Sequence, residues 1–162
     1  MYQEILAGLE TQLKKVNSQP VQVGFYGDVG EVNLAKAAIL LEPLVEQRSS
    51  KSMRWRGAEF KVRLWLLVEI VRSYMSSLSE LQDIIAADDK EEQKIGIHAA
   101  LDQLKRDDSF RSLTGSVGGK TWRIGPEVIE YSATRFGINL GRSSTKINTA
   151  QIDVVIHIEV EQ

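Results

Sequence analysis

From Phe60 to Val71 the chain alternates with a period of two. Phe60, Val62, Leu64, Leu66, Val68 and Ile70 share one side, while the other starts polar with Lys61 and Arg63. It then turns apolar at Trp65, Leu67 and Val71, interrupted by Glu69. A strand that is apolar on both faces along its second half belongs in the middle of a sheet, covered on both sides. The other strong alternation is at the end of the chain. Ile152, Val154, Ile156, Ile158 and Val160 face one way, and Asp153, Val155, His157, Glu159 and Glu161 the other, as in a half-buried strand.

The segments around these two strands supply the remaining layers. Tyr2, Ile5, Leu6, Leu9, Leu13 and Val16 recur at helical steps and predict an amphipathic helix, stopped by Asn17-Ser18-Gln19-Pro20. Val21–Phe25 reads as a short strand, followed by a turn at Gly27-Asp28-Val29-Gly30. Ala37–Leu41 is either a buried strand or a helix end, since five residues cannot separate the two periods. Ser77–Ala87 and Ile95–Lys105 predict two central helices, with Asp88–Glu92 as a charged junction or first helical turn. Phe110–Leu113, Trp122–Ile124 and Val128–Tyr131 read as strands. The order of elements predicts one α+β domain over residues 1–162, a mainly antiparallel mixed sheet flanked by the N-terminal helix and the central ones. At 162 residues, such a chain can bury about two-thirds of its unfolded surface without staples.

Composition narrows the function classes. The formal net charge of −2 argues against a dedicated nucleic-acid binder, and the absence of cysteine excludes disulfides, thiolate-ligated zinc and a Cys nucleophile. The most apolar stretch, Val62–Val71, carries Arg63 and Glu69, so no membrane span is expected. The start Met1-Tyr2-Gln3-Glu4 does not read as a basic region before an apolar one, so no signal peptide is expected and the expected compartment is cytoplasm-like.

Residues 114–121, Thr-Gly-Ser-Val-Gly-Gly-Lys-Thr, contain the Gly-Lys-Thr end of a phosphate-binding loop. However, Thr114 stands where the first glycine is needed, and Trp122-Arg123-Ile124-Gly125-Pro126 cannot open a helix for the phosphate. The segment reads as a Gly-rich hairpin loop. Gly24, Gly27 and Gly30 do not have dinucleotide-binding spacing. Asp88, Asp89, Glu91 and Glu92 lack the alternation and central glycine of a calcium loop. A metal or acid–base site built on His98 and His157 requires both to converge with carboxylates, and their spacing gives no reason to expect it. No catalytic residue, cofactor or metal is assigned, and the expectation is an interaction protein rather than an enzyme.

One local charge bias remains. Residues 47–57 are basic and turn-rich and predict a mobile loop, in which Arg48, Lys51, Arg54, Trp55 and Arg56 are the candidate partner-contact residues. Arginine and aromatic side chains dominate interface hot spots. The bland alternative is a solvated loop diluted by Glu46 and Glu59.

The ordering of the chain resembles the tail terminator proteins of tailed phages, in particular those of Mu-like contractile tails. The resembling features are the helix Tyr2–Val16, the Ala-Ile-Leu-Leu-Glu-Pro segment Ala38–Pro43 and the long strand Phe60–Val71. They continue with Ile95–Leu104, similar to the family's short helix after its central strand, and the terminal strand Ile152–Val160. The resemblance implies a non-enzymatic ring, usually of six copies, that caps the tail tube, stops its polymerisation and joins it to the head or neck. Its implied partners are other copies of the chain, the tail tube protein, sheath and head-completion or neck proteins. DNA is implied only as it passes through the ring. The implied location is the virion tail, assembled in the host cytoplasm. Alternatives are another minor tail or head–tail joining protein, an adaptor docking an acidic partner on its basic loop, and a small nucleotide- or ligand-binding domain using residues 115–121.

Overall fold

The structure is a computed structural model that describes residues 1–16, 21–28, 37–51, 54–140 and 146–162, with the side chains of 49–51 and 138–140 set aside. The predicted helix stop at 17–20, the Val29–Gly30 end of the predicted turn and residues 52–53 lie outside the described residues. Helix α1 (Tyr2–Leu13) leads into strand β1 (Val21–Phe25) and a single 3₁₀ turn at Tyr26–Asp28. Two long strands, β2 (Ala37–Lys51) and β3 (Trp55–Glu69), form a hairpin. Helix α2 (Tyr74–Ala86), the small β4 (Asp88–Asp89) and β5 (Lys94–Ile95) pair, and helices α3 (Ile97–Leu104) and α4 (Asp108–Arg111) follow. Strands β6 (Thr114–Val117), β7 (Lys120–Tyr131), β8 (Arg135–Leu140) and β9 (Lys146–Glu161) complete the chain.

The fold is α+β. Among the described residues, seven strands form one mixed sheet in the order β1-β2-β3-β9-β7-β6, with β8 also on β9, and only the β1–β2 pairing is parallel. Strand β9 is the spine: one edge pairs with β3 along its whole length, and the other is shared by β7 towards the C-terminus and β8 towards the N-terminus. Phe60, Val62, Leu64, Leu66 and Val68 on β3 share a buried face with Ala150, Ile152, Val154, Ile156, Ile158 and Val160 on β9. Onto this face α1 brings Ile5, Leu9 and Leu13, α2 brings Leu81, Ile84 and Ile85, and α3 brings Ile97, Leu101 and Leu104. Polar side chains buried on this side are hydrogen-bonded: the Gln12 amide donates to the Ala100 carbonyl at 2.7 Å, and the Asn148 amide donates to the Ser77 hydroxyl at 3.1 Å.

The two faces of the sheet are covered differently, although Ala38 and Leu40 on the second face are buried as well. Strand β3 is central, but among the described residues no helix packs on its second face. There Trp65 and Leu67 are half-buried, beside Ala38 and Leu40 of β2, and Tyr26 leans on Trp65 with ring centroids 5.8 Å apart. Among the described residues, the apolar second half of β3 is thus met by neighbours within the sheet and by the turn after β1.

Three local expectations also change. Ala37–Leu41 is a strand, because it zips between β1 and β3. The acidic junction is a hairpin rather than a helical turn, because Asp89 Oδ1 accepts the backbone N–H groups of Glu91 and Glu92 at 3.0 and 3.2 Å, with Gln93 at φ 56° closing it. Such local side-chain bonds compete with helix formation. Phe110–Leu113, expected as a strand, opens instead within helix α4 (Asp108–Arg111), because Asp107 caps it, its side chain accepting from Ser109 and Phe110.

Candidate functional site

The predicted mobile loop at 47–57 is corrected as well. Gln47, Arg48 and Lys51 belong to β2, and Trp55, Arg56 and Gly57 to β3, with register pairs Gln47↔Glu59, Arg48↔Ala58 and Lys51↔Arg56. The segment is the end of a hairpin arm. A serine- and arginine-rich stretch carries few loop-forming glycines, and extended pairing leaves its long side chains solvated.

Strand alternation then divides the five candidate residues between two faces. Arg48 and Arg56 are in register with Ala58 and Val160 and so point to the helix side. Arg48 bonds Glu46 at 2.9 Å, and Glu46 accepts the Tyr2 hydroxyl at the start of α1. That acceptor and burial raise the Tyr2 phenol above its ordinary value, burial being the larger cause. Trp55 lies on the open face, where the Arg123 guanidinium sits 3.9 Å from its ring centroid and Arg54 sits 5.5 Å away. Arg123 is held by Glu159 at 2.9 Å and Arg54 by Glu161 at 3.4 Å. Lys51 is placed by register opposite Arg56. The structure therefore brings Arg54 and Trp55 together and leaves Arg48 and Arg56 on the other side. The arm is not a single basic patch.

The Gly-rich segment is a two-residue β-hairpin. Gly118 and Gly119 have φ of +58° and +77°, as the turn that matches strand twist requires, and Lys120 and Thr121 run straight into β7. With a strand where a phosphate-binding helix would start, Lys120 has no such cradle. His98 stacks on Tyr131 at 4.9 Å beneath the helices, whereas His157 lies on the open face. The sheet separates the two histidines.

The open face carries a polar ladder that sequence reading missed, because its members are 90 residues apart. Asp153 accepts from Arg63 Nε at 2.9 Å and Nη2 at 3.4 Å, and Arg135 stands 3.8 Å from its other oxygen. The Arg63 hydrogen bonds hold the Asp153 carboxyl below the usual carboxylate range, against burial that opposes them. Its contribution to stability is therefore complete above about pH 4 and lost as pH falls through the lowered value. Asp153→Ala is expected to cost about 2 kcal/mol, below the full cost of breaking a buried pair because the Arg63 side chain is 25% exposed. Urea titrations at pH 7 and pH 3 check this: the gap between wild type and variant narrows at pH 3, and an unchanged gap would contradict the assignment.

Among the described residues the sheet ends at β1 and at β6, and it leaves two further, unlike stretches of strand edge unpaired. Strand β1 covers β2 only from Ala37 to Leu41, so among the described residues no strand pairs the outer edge of Glu42–Lys51, where Leu44 and Val45 are exposed. Across β3 and β9, about 15 Å away at ordinary strand spacing, β8 pairs only with β9 and exposes Phe136. No family model matches the chain, and no curated protein matches it.

Proposed function

We propose that the chain is a structural, non-enzymatic subunit of a virion tail, a terminator of the kind its element order resembles. Copies close into a ring, six in that family, which caps the tail tube, stops its growth and offers a face to head-completion or neck proteins. Assembly takes place in the host cytoplasm and the product stays in the virion. The observation that supports this reading is the pair of unlike free edges, the outer half of β2 and the far side of β8, on opposite sides of one sheet. An unpaired strand edge is a template for another strand, and two different patches that fit each other make the head-to-tail contact from which rings close. Leu44 and Val45 on one edge and Phe136 on the other supply apolar area for that contact.

The test is growth of tail-tube protein in the presence of the chain. Tubes are expected to stop elongating, and the Leu44→Lys/Val45→Lys double variant is expected to lose that effect while keeping its circular dichroism. Tubes that lengthen equally with and without the chain would remove the reading.

A further inference from the structure

We propose that the open face holds a divalent transition-metal site of the zinc class, formed by His157, Glu127 and Glu130. This inference does not depend on ring assembly. Its geometry comes from an irregularity in β7. Ile124 pairs with Ile158 and Ile129 with Ile156, so the four residues Gly125–Val128 arch past the single residue His157 on β9. Pro126 sits in this arch, where the missing N–H costs no ladder bond. Val128 is buried and anchors the arch, which leaves Glu127 exposed at its crest. Glu130 rejoins the ladder opposite Val155 and so shares the open face with His157, one step along the strand.

The three side chains offer one imidazole nitrogen and two carboxylate oxygens, all within 4.8 Å of one another. Glu130 Oε2 is 3.5 Å from His157 Nε2. Two ligands bound at about 2.1 Å in a tetrahedron lie about 3.4 Å apart. That pair is therefore already at ligand spacing, and Glu127 and Glu130 are exposed enough to close the rest by side-chain rotation. The surroundings of His157 Nε2 point the same way: the atom is covered from solvent and makes no hydrogen bond, and Glu130 at 3.5 Å pairs with it only by charge. Polar atoms covered in this way normally have a partner, and where none is seen an ion is one of the accepted explanations.

Charge and softness select the ion. Two carboxylates neutralise a divalent cation, and the imidazole favours zinc-like ions over magnesium or calcium. A cavity of about 400 Å³ opens beside the cluster, lined among others by Trp55, Glu59, Pro126 and Glu159. It gives water access to the fourth position. Two ligands thus come from β7 and one from β9, and the ion would clamp the arch to the spine of the sheet.

Equilibrium dialysis of the full chain against zinc chloride in chelator-treated buffer tests the site, with magnesium chloride as the hard-ion comparison. One zinc per chain is expected, together with a higher unfolding temperature on loading. Glu130→Gln and His157→Gln are each expected to weaken binding at least about tenfold, since losing a ligand costs no less than losing its supporting partner. His98→Gln, on the other face, is expected to bind as wild type. Glu130 is exposed, so that variant keeps the fold and isolates the ligand effect. Zinc that does not bind, that binds equally in both ligand variants, or that magnesium displaces at equal concentration would overturn the proposal.

Discussion

Trp122→Ala is expected to cost about 4 kcal/mol, whereas Lys120→Ala, two residues earlier, is expected to stay within about 0.5 kcal/mol. The contrast follows from what the Gly-Gly-Lys-Thr-Trp run does in the fold. Gly118 and Gly119 turn the chain, Lys120 is exposed, and Trp122 is 1% exposed, in register with Val160 on the helix side of the sheet. Its indole lies so close under β6 that a Cβ at Gly115 would stand 2.7 Å from Nε1. Thr114 ties the two strands further by donating to the Trp122 carbonyl at 2.7 Å. The run that imitates a phosphate loop is thus a device for burying a tryptophan. Urea unfolding midpoints of the two variants measure the difference. Equal losses would contradict it, as would tight magnesium-dependent ATP binding by the native chain that Lys120→Ala abolishes.

Gly96→Val should come next in size, at about 3 kcal/mol. Gly96 is the residue before α3, and its N–H donates to the Ala87 carbonyl at 2.6 Å. A Cβ there would lie 2.7 Å from the Ala87 nitrogen and 2.8 Å from the Ile85 carbonyl carbon and oxygen. These are backbone atoms at the end of α2 and cannot swing aside, so the α2–α3 junction must open. Behind it lie Ile97, Leu101 and Leu104, all buried. The expected fall in melting temperature is about 10 °C for a chain of this size. Gly24→Ala is the comparison, because a Cβ at Gly24 meets nothing within 4 Å. It is expected to shift the melting temperature little or upward, through lost freedom in the unfolded chain. Similar falls for both would show that α3 does not depend on this close approach.

The legible parts of the fold are those where one period dominates. Ile152, Val154, Ile156, Ile158 and Val160 on β9 are buried as expected, with Asp153 the one residue of the other face that is buried between Ile152 and Val160, and the buried side of β3 follows Phe60 to Val68 without a slip. The helices at Tyr2, Ser77 and Ile95 appear close to their predicted bounds. Two departures each turn on a single side chain acting on the backbone: Asp89 bends the acidic run into a hairpin, and Asp107 starts α4. Strand β8 is hard to see in the sequence although Phe136, Ile138 and Leu140 alternate, because Gly137 and Asn139 between them look like turn residues.

The surface was less legible than the core. The basic run 47–57 was visible as composition, but only register shows that Arg48 and Arg56 point away from Trp55. The partners of Trp55 and Arg54 come from Arg123, Glu159 and Glu161, and no local pattern links those positions. His157 was visible as an alternating polar residue on β9. The arch in β7 that brings Glu127 and Glu130 to it is a register shift, and register shifts leave no periodic trace beyond the isolated Gly125-Pro126 pair.

Imaging of the purified chain by negative stain, alone and mixed with tail tubes, tests the assembly reading most directly. The account predicts closed rings whose mass is a whole multiple of 18.2 kDa, either free in solution or seated on tube ends. Single chains that leave every tube end bare would contradict it.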